Sequence, residues 1–143
     1  MTSCLNDHPY IWHAMLKKTL YRIARLLAAV IMFQTLYFKF GASEESVYIF
    51  TKVGMEPWGR IGVGVAELAA SLLLLFNGTA WIGAGIAAGL MIGAIGMHLT
   101  VLGIEVQGDG GYLFFLACVV AVCSVFVLIV NKESVLTLLP RRR

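Results

Sequence analysis

Charge is scarce in this sequence: 13% of its 143 residues are Asp, Glu, Lys or Arg, against 59% apolar. A water-soluble domain carries about 25% charged and roughly 45 to 50% apolar residues. With the aliphatic excess gathered into long runs, a soluble enzyme with a polar shell is excluded, and disorder with it. The three cysteines, Cys4, Cys118 and Cys123, form no CxxC pair. Cys118 and Cys123, five apart on a helix, stand about 140° apart around its axis and cannot pair with each other, so buried small apolar roles are expected. A linker and a second domain are missing too, and the length suits one compact unit. These absences leave a small integral membrane protein.

What is present are four apolar stretches, each about the 20 residues that cross a hydrocarbon core in an α-helix. They cover residues 21–40, 58–76, 79–103 and 111–130. None alternates in polarity as a transmembrane β-strand does. The expected fold is therefore all-α: a polytopic bundle of four transmembrane helices forming a single domain over 1–143. Residues 1–20 are expected as a cytoplasmic N-terminal segment and 131–143 as a basic tail. A cleaved signal peptide is not expected, because Lys39 follows the first run and no small-x-small site closes a short apolar region. Only Asn77-Gly78 separates the second and third runs, which forces a tight antiparallel hairpin. The glycosylation sequon at Asn77-Gly78-Thr79 falls in that turn and reads as a chance match.

With four spans, both termini and the Asn77 turn share one side. Lys17, Lys18, Arg22, Arg25, Lys132, Arg141, Arg142 and Arg143 lie there, against Lys39, Lys52 and Arg60 on the other side. The positive-inside rule puts the termini in the cytoplasm. The net charge of +3 thus expresses topology, and no nucleic-acid partner is expected; Arg141-Arg142-Arg143 is suited to anionic lipid headgroups.

Between the first two spans, residues 43–54 predict a short interfacial helix. Ser43 can cap it, Glu44 and Glu45 suit its N-terminal dipole, and Gly54 can supply a left-handed stop. Val47, Phe50 and Val53 give it an apolar side that would roof the bundle. Pro57 suits the first turn of the second span, with Trp58 at headgroup level.

Ionisable groups inside hydrocarbon cost about 2.5 to 3.5 kcal/mol each on insertion scales, so those that remain face a partner or a cavity. Arg60, Gly64, Glu67 and Ser71 share one face of the second span; Ile61, Val65, Leu68, Leu72 and Leu75 take the other. Glu67 lies about 9 residues, or roughly 13 Å, below the start of its helix, near the midplane. Lys39 closes the first span and His98 lies late in the third. Four ionisable side chains from three helices, Lys39, Arg60, Glu67 and His98, therefore gather in the outer half. Two readings stand. Glu67 pairs with Arg60 or Lys39 as a brace while His98 donates to a backbone carbonyl. Alternatively Glu67 and His98 exchange protons as catalytic groups in a pocket open to the outside, with Lys39 or Arg60 binding an oxygen of a ligand. One histidine and one buried carboxylate are too few for a metal site.

Gly85, Gly89 and Gly93 form two overlapping GxxxG patterns in the third span, a face for close helix packing. That packing is expected within the bundle or against a second copy as a homo-oligomer. His98 points almost opposite, with Ala87, Met91 and Ala94. These glycines lie deep in an apolar helix and exclude a nucleotide loop. Gly108-Asp109-Gly110-Gly111 predicts a turn that could also form a lip over the pocket.

These elements together resemble the DoxX family of small four-helix membrane proteins. The resemblance is carried by Arg22 or Arg25 opening the first span, by Tyr37-Phe38-Lys39-Phe40-Gly41 closing it, and by Gly59-Arg60 through Glu67. Ala94 and His98 before a glycine-containing turn complete it, so that it covers about residues 20 to 130. It implies residence in a bacterial cytoplasmic membrane and a quinone-linked role in redox or sulfur metabolism, with Lys39, Glu67 and His98 as the matching positions. The chain has no cysteine pair, haem-type histidine pair or nucleotide motif, so no intrinsic electron carrier is expected; it would bind quinone or support an oxidoreductase partner subunit. A non-enzymatic assembly factor is the alternative, followed by a small-solute transporter, for which internal repeats and broken helices are not evident.

Overall fold

A computed structural model describes residues 8–132. The chain forms α1 (His8–Phe40), α2 (Glu44–Lys52), α3 (Trp58–Leu75), α4 (Ala80–Met97), a π-helical turn (His98–Leu102) continuing α4, and α5 (Tyr112–Val130). Four helices are long and apolar enough to cross a membrane, over Met15–Phe40, Trp58–Leu75, Ala80–Leu102 and Tyr112–Val130. The all-α polytopic bundle expected from the sequence is what the chain builds. Cys4 and the basic tail from 133 to 143, with its three arginines, lie outside the described residues.

Side-chain size sorts the faces. On α1, Ala24, Ala28, Ala29, Met32 and Leu36 turn inward at helical spacing, while Ile23, Leu27, Val30 and Phe33 are exposed. On α4, Ala84, Ala87, Ala88 and Met91 are buried and Ile82 and Ile92 exposed. Small residues inward let helices approach, and large apolar residues outward suit lipid, the pattern of membrane helices. Only 22–39% of each span's apolar window is buried within the chain, so most of this surface needs the bilayer to cover it. Each helix packs on two neighbours: α1 on α3 and α5, and α4 on the same two. The α3 stripe divides as its sequence predicts, with Arg60, Gly64, Glu67 and Ser71 buried and Ile61, Val65 and Leu72 exposed.

Three features differ from expectation. First, α1 begins at His8, well before the apolar run at 21, and is 33 residues long, so the basic stretch from Lys17 is helical. Second, Arg25, which the charge count placed with the basic residues of the terminal side, is buried within the bundle. Its Nε donates to the Leu74 carbonyl at 2.7 Å, it bonds the Asn77 side chain, and its guanidinium lies 5.2 Å over the Tyr21 ring. One cation thereby satisfies a carbonyl left free at the end of α3 and holds the hairpin turn. Asn131 adds a second tie at this end, donating to the Tyr21 hydroxyl at 3.0 Å.

Third, the α4 glycines do not bring helices together inside the bundle. Gly85, Gly89 and Gly93 are exposed, and a Cβ on any of them would meet nothing within 4 Å. Close approach falls instead at Gly83, where a Cβ would stand 2.7 Å from the Ala70 carbonyl oxygen and 2.7 Å from the Leu74 nitrogen. The hairpin turn fixes that register, since only a residue near the turn is forced against the returning helix.

Gly83→Val should therefore destabilise the bundle by about 1 to 3 kcal/mol, the usual cost of overpacking, while Gly85→Val should change it little. Thermal unfolding of the two variants in mild detergent tests the contrast.

Candidate functional site: a cavity at the α2 end of the bundle

The α2 end is built around a clamp between α1 and α3. Arg60, in the first turn of α3, grips Glu56 through both carboxylate oxygens, with Nη2 to Oε1 at 2.7 Å and Nε to Oε2 at 2.9 Å. It also donates to the Lys39 backbone carbonyl in the last turn of α1, which the Ala42 amide reaches only at 3.4 Å. Next to it, Gly64 leaves room for α1: a Cβ there would meet the Phe40 ring at 3.1 Å and lie 3.7 Å from Lys39 Cβ. This close approach delivers Lys39 to Glu67.

The Lys39 ammonium stands 2.9 Å from Glu67 Oε2, and the Glu67 residue is only 3% exposed. The Thr35 hydroxyl also reaches Oε2, at 2.9 Å, and lies 2.8 Å from the Met32 carbonyl. A hydroxyl has one proton, so Thr35 donates either to the Glu67 carboxylate or to Met32. When Glu67 is protonated, Thr35 can accept from it and donate to Met32. Glu67 Oε1 takes no protein hydrogen bond among the described residues, which leaves it available to a ligand.

His98 begins the π-helical turn. The Gly103 amide donates to the His98 carbonyl at 2.9 Å, and Gly103 turns back so that its own carbonyl meets His98 Nδ1 at 2.8 Å. Gly103 adopts φ 89°, ψ 167°, a region essentially confined to glycine. A carbonyl only accepts, so Nδ1 carries the proton and, in the neutral ring, Nε2 is left as an acceptor. The ring packs edge-on against Phe114 at 5.7 Å. Short π segments occur frequently at functional sites, and here one fixes which nitrogen of a buried imidazole is free.

Lys39, Glu67 and His98 line one cavity of about 570 Å³ between the helices, beneath α2. Its walls are apolar, including Met32, Leu90, Met91, Leu116 and Val120, and its polar groups are few. A mostly apolar cleft of a few hundred Å³ with a few convergent polar groups is how small-molecule sites are built. Arg60 is not among the lining residues, because Glu56 and the α1 terminus take its donors. The expected four-residue cluster is thus three plus a brace.

Helix α2 roofs the cavity. Ser43 caps it, its hydroxyl accepting from the Ser46 amide at 3.3 Å, and Gly54 follows at φ 77°. Its inward side is Glu45, Ser46, Ile49, Phe50 and Val53, a face rotated from the expected Val47, Phe50 and Val53. Asp109 holds the opposite lip. Its carboxylate accepts from the Val106, Gly111 and Leu113 amides at 2.8 to 3.0 Å, which caps α5. Burial pushes the Asp109 carboxyl up, but the three amide donors and nearby His98 together outweigh it, holding the group below its ordinary 3.8. Glu45 is raised above its ordinary 4.5, first by burial and then by repulsion from Asp109. Sequence reasoning missed Thr35 and gave Glu45 only a helix-dipole role, whereas Asp109 was placed in a turn that could form a lip over the pocket, and it does line the cavity. The Thr35–Lys39 spacing of four residues, which puts both on one face, was the available signal for the first.

The DoxX family model matches residues 20–102, from within the first span through the π-helical turn. This chain belongs to the DoxX family. The matched stretch contains Arg25, Lys39, Arg60, Glu67 and His98, and stops before Asp109 and α5. No curated protein and no solved structure matches the chain.

Lys39→Met should destabilise the protein by about 3 to 5 kcal/mol, because it strands a buried carboxylate, and Lys39→Met/Glu67→Gln should recover most of that loss. Chemical unfolding of the three proteins in micelles supplies the double-mutant comparison. Asp109 gives a second expectation, with its sign fixed by a lowered folded value. Its contribution is fully present above the unfolded value of 3.8 and is lost as pH falls through the lower folded one. Asp109→Asn should lower stability at neutral pH and flatten the acid limb of the pH–stability curve.

Proposed function

We propose that this DoxX-family protein is a quinone-binding or accessory subunit of a membrane oxidoreductase system linked to redox or sulfur metabolism. In this reading it lies in a bacterial cytoplasmic membrane with both termini in the cytoplasm. The observation that carries it is the pairing, in one apolar cavity, of the Lys39–Glu67 ion pair with a His98 ring whose Nε2 is left as an acceptor.

The residues fit the group. About 570 Å³ of apolar-walled space suits a ring, and the polar atoms at its edge offer both donor and acceptor to ring oxygens. When bound, a quinone would supply a two-electron, two-proton couple that the side chains themselves do not contain. Lys39 Nζ has three protons and spends one on Glu67, so it can donate to a carbonyl oxygen of the ring. His98 Nε2 accepts from a hydroxyl of the reduced form, while Nδ1 stays committed to Gly103. Glu67 holds or takes up a proton beside Thr35. In its neutral form His98 therefore recognises the quinol, and Lys39 serves either redox form. Electrons would come from or go to a partner subunit.

Mass spectrometry of the gently solubilised protein should find bound quinone, with much less in His98→Ala and Glu67→Gln. Equal quinone content in wild type and both variants would reject the site. A stable crosslinked envelope protein, with no quinone and no sensitivity to Glu67→Gln, would favour an assembly role instead.

A further inference from the structure

The antiparallel hairpin of α3 and α4 is closed at one end and open at the other. At Gly83 the two backbones touch, level with Ala70 and Leu74. Those contacts set the register: at equal rise along both helices, Gly89 falls level with about Ala66, and Gly93 with about Gly62. A Cβ on Gly62, Gly89 or Gly93 would meet nothing within 4 Å. Facing glycines normally mark a close helix contact, and here they border a gap. Gly89 and Gly93 are exposed at the surface and also line the cavity that holds Glu67 and His98. Leu90, Ala94 and Met97 continue the lining along the α3 side of α4, and Val63 lines it from α3.

We infer that this gap is a lateral portal, through which the cavity opens to the hydrocarbon of the bilayer and takes in an amphiphile with a flexible apolar tail. The head reaches Lys39, Glu67 and His98, and the tail lies across Gly62, Gly89 and Gly93 into the membrane. The second observation that points to a ligand lies inside: Glu67 and His98 are 3% and 6% exposed, and each keeps a polar atom without a protein partner on the cavity wall. The portal suits a tail because Gly62, Gly89 and Gly93 put no side chain into it and the lining beside them, Val63, Leu90, Ala94 and Met97, is uncharged. Glycine is what such a rim requires, since any larger residue would narrow it. The quinone reading is deepened rather than replaced, and the portal depends on it only for the identity of the head group.

The test uses the full chain in phosphatidylcholine–phosphatidylglycerol vesicles doped with a phosphatidylcholine carrying a diazirine at mid-chain. After irradiation, labelled peptides are located by mass spectrometry. The portal predicts label on interior residues such as Met91 and Leu116 of the wild type. Gly89→Leu and Gly93→Leu should reduce that interior label several-fold, while Gly85→Leu, on the same exposed stripe but outside the cavity lining, should not. Wild-type protein labelled only on its outward residues would overturn the portal. So would a native mass showing a dimer that Gly89→Leu or Gly93→Leu splits, with an unlabelled interior, because the glycine face would then be an interface between copies. Interior labelling in protein that carries no quinone would keep the portal and reject the quinone reading.

Discussion

A carboxylate carried into the middle of an apolar bundle has to be answered by a cation, and the Lys39–Glu67 pair is that answer here. Burying both charges is costly, and their attraction offsets that cost only when geometry is good and further hydrogen bonds are made. The neighbouring elements are arranged to meet that condition. Gly64 brings the end of α1 against α3, Arg60 ties the α1 carbonyl terminus to the start of α3, and Thr35 supplies a second partner to Glu67. The remaining oxygen of Glu67 is left at a cavity rather than buried in a protein contact.

The two ends of the bundle use cations differently. At the end that carries the termini, Arg25 binds the Leu74 carbonyl, the Asn77 side chain and the Tyr21 ring, and closes the α3–α4 turn. At the α2 end, Arg60 is spent in the same manner on Glu56 and the end of α1, and that frees Lys39 to face the cavity. Arginine's fixed fork suits bracing, where several acceptors must be met at once. Lysine's compact ammonium on a flexible stem suits a site where a partner arrives and leaves. The helices are thus pinned tightly at the turn and spread over a cavity at the other end, and α2 with the Asp109 loop covers the space between them.

The fold was largely legible because the membrane imposes its rule one helix at a time. Apolar length gives four helices, Asn77-Gly78 makes a hairpin of two of them, and Ser43 with Gly54 brackets α2, all of which are local. The buried polar stripe of α3 follows from spacing alone. Legibility fell where the deciding neighbour is distant in sequence. Arg60 and Lys39 are equally plausible partners for Glu67 on a helical wheel, and Glu56 removes the first. The GxxxG pattern of α4 announces a close contact but cannot say against what; the register set at the hairpin turn brings Gly83, not Gly85, Gly89 or Gly93, against α3.

The sequence by itself determined that this is a four-span membrane bundle, and that Lys39, Arg60, Glu67 and His98 are the residues whose burial needs an explanation. Both follow from transfer free energies, which act residue by residue and so can be read in one dimension. Tertiary structure decided which cation meets Glu67, which nitrogen of His98 is free, and that the glycines of α4 are left exposed instead of packed on α3. The first and last depend on a contact between helices, made or left unmade, and the second on how the chain turns back at Gly103, none of which the local pattern records.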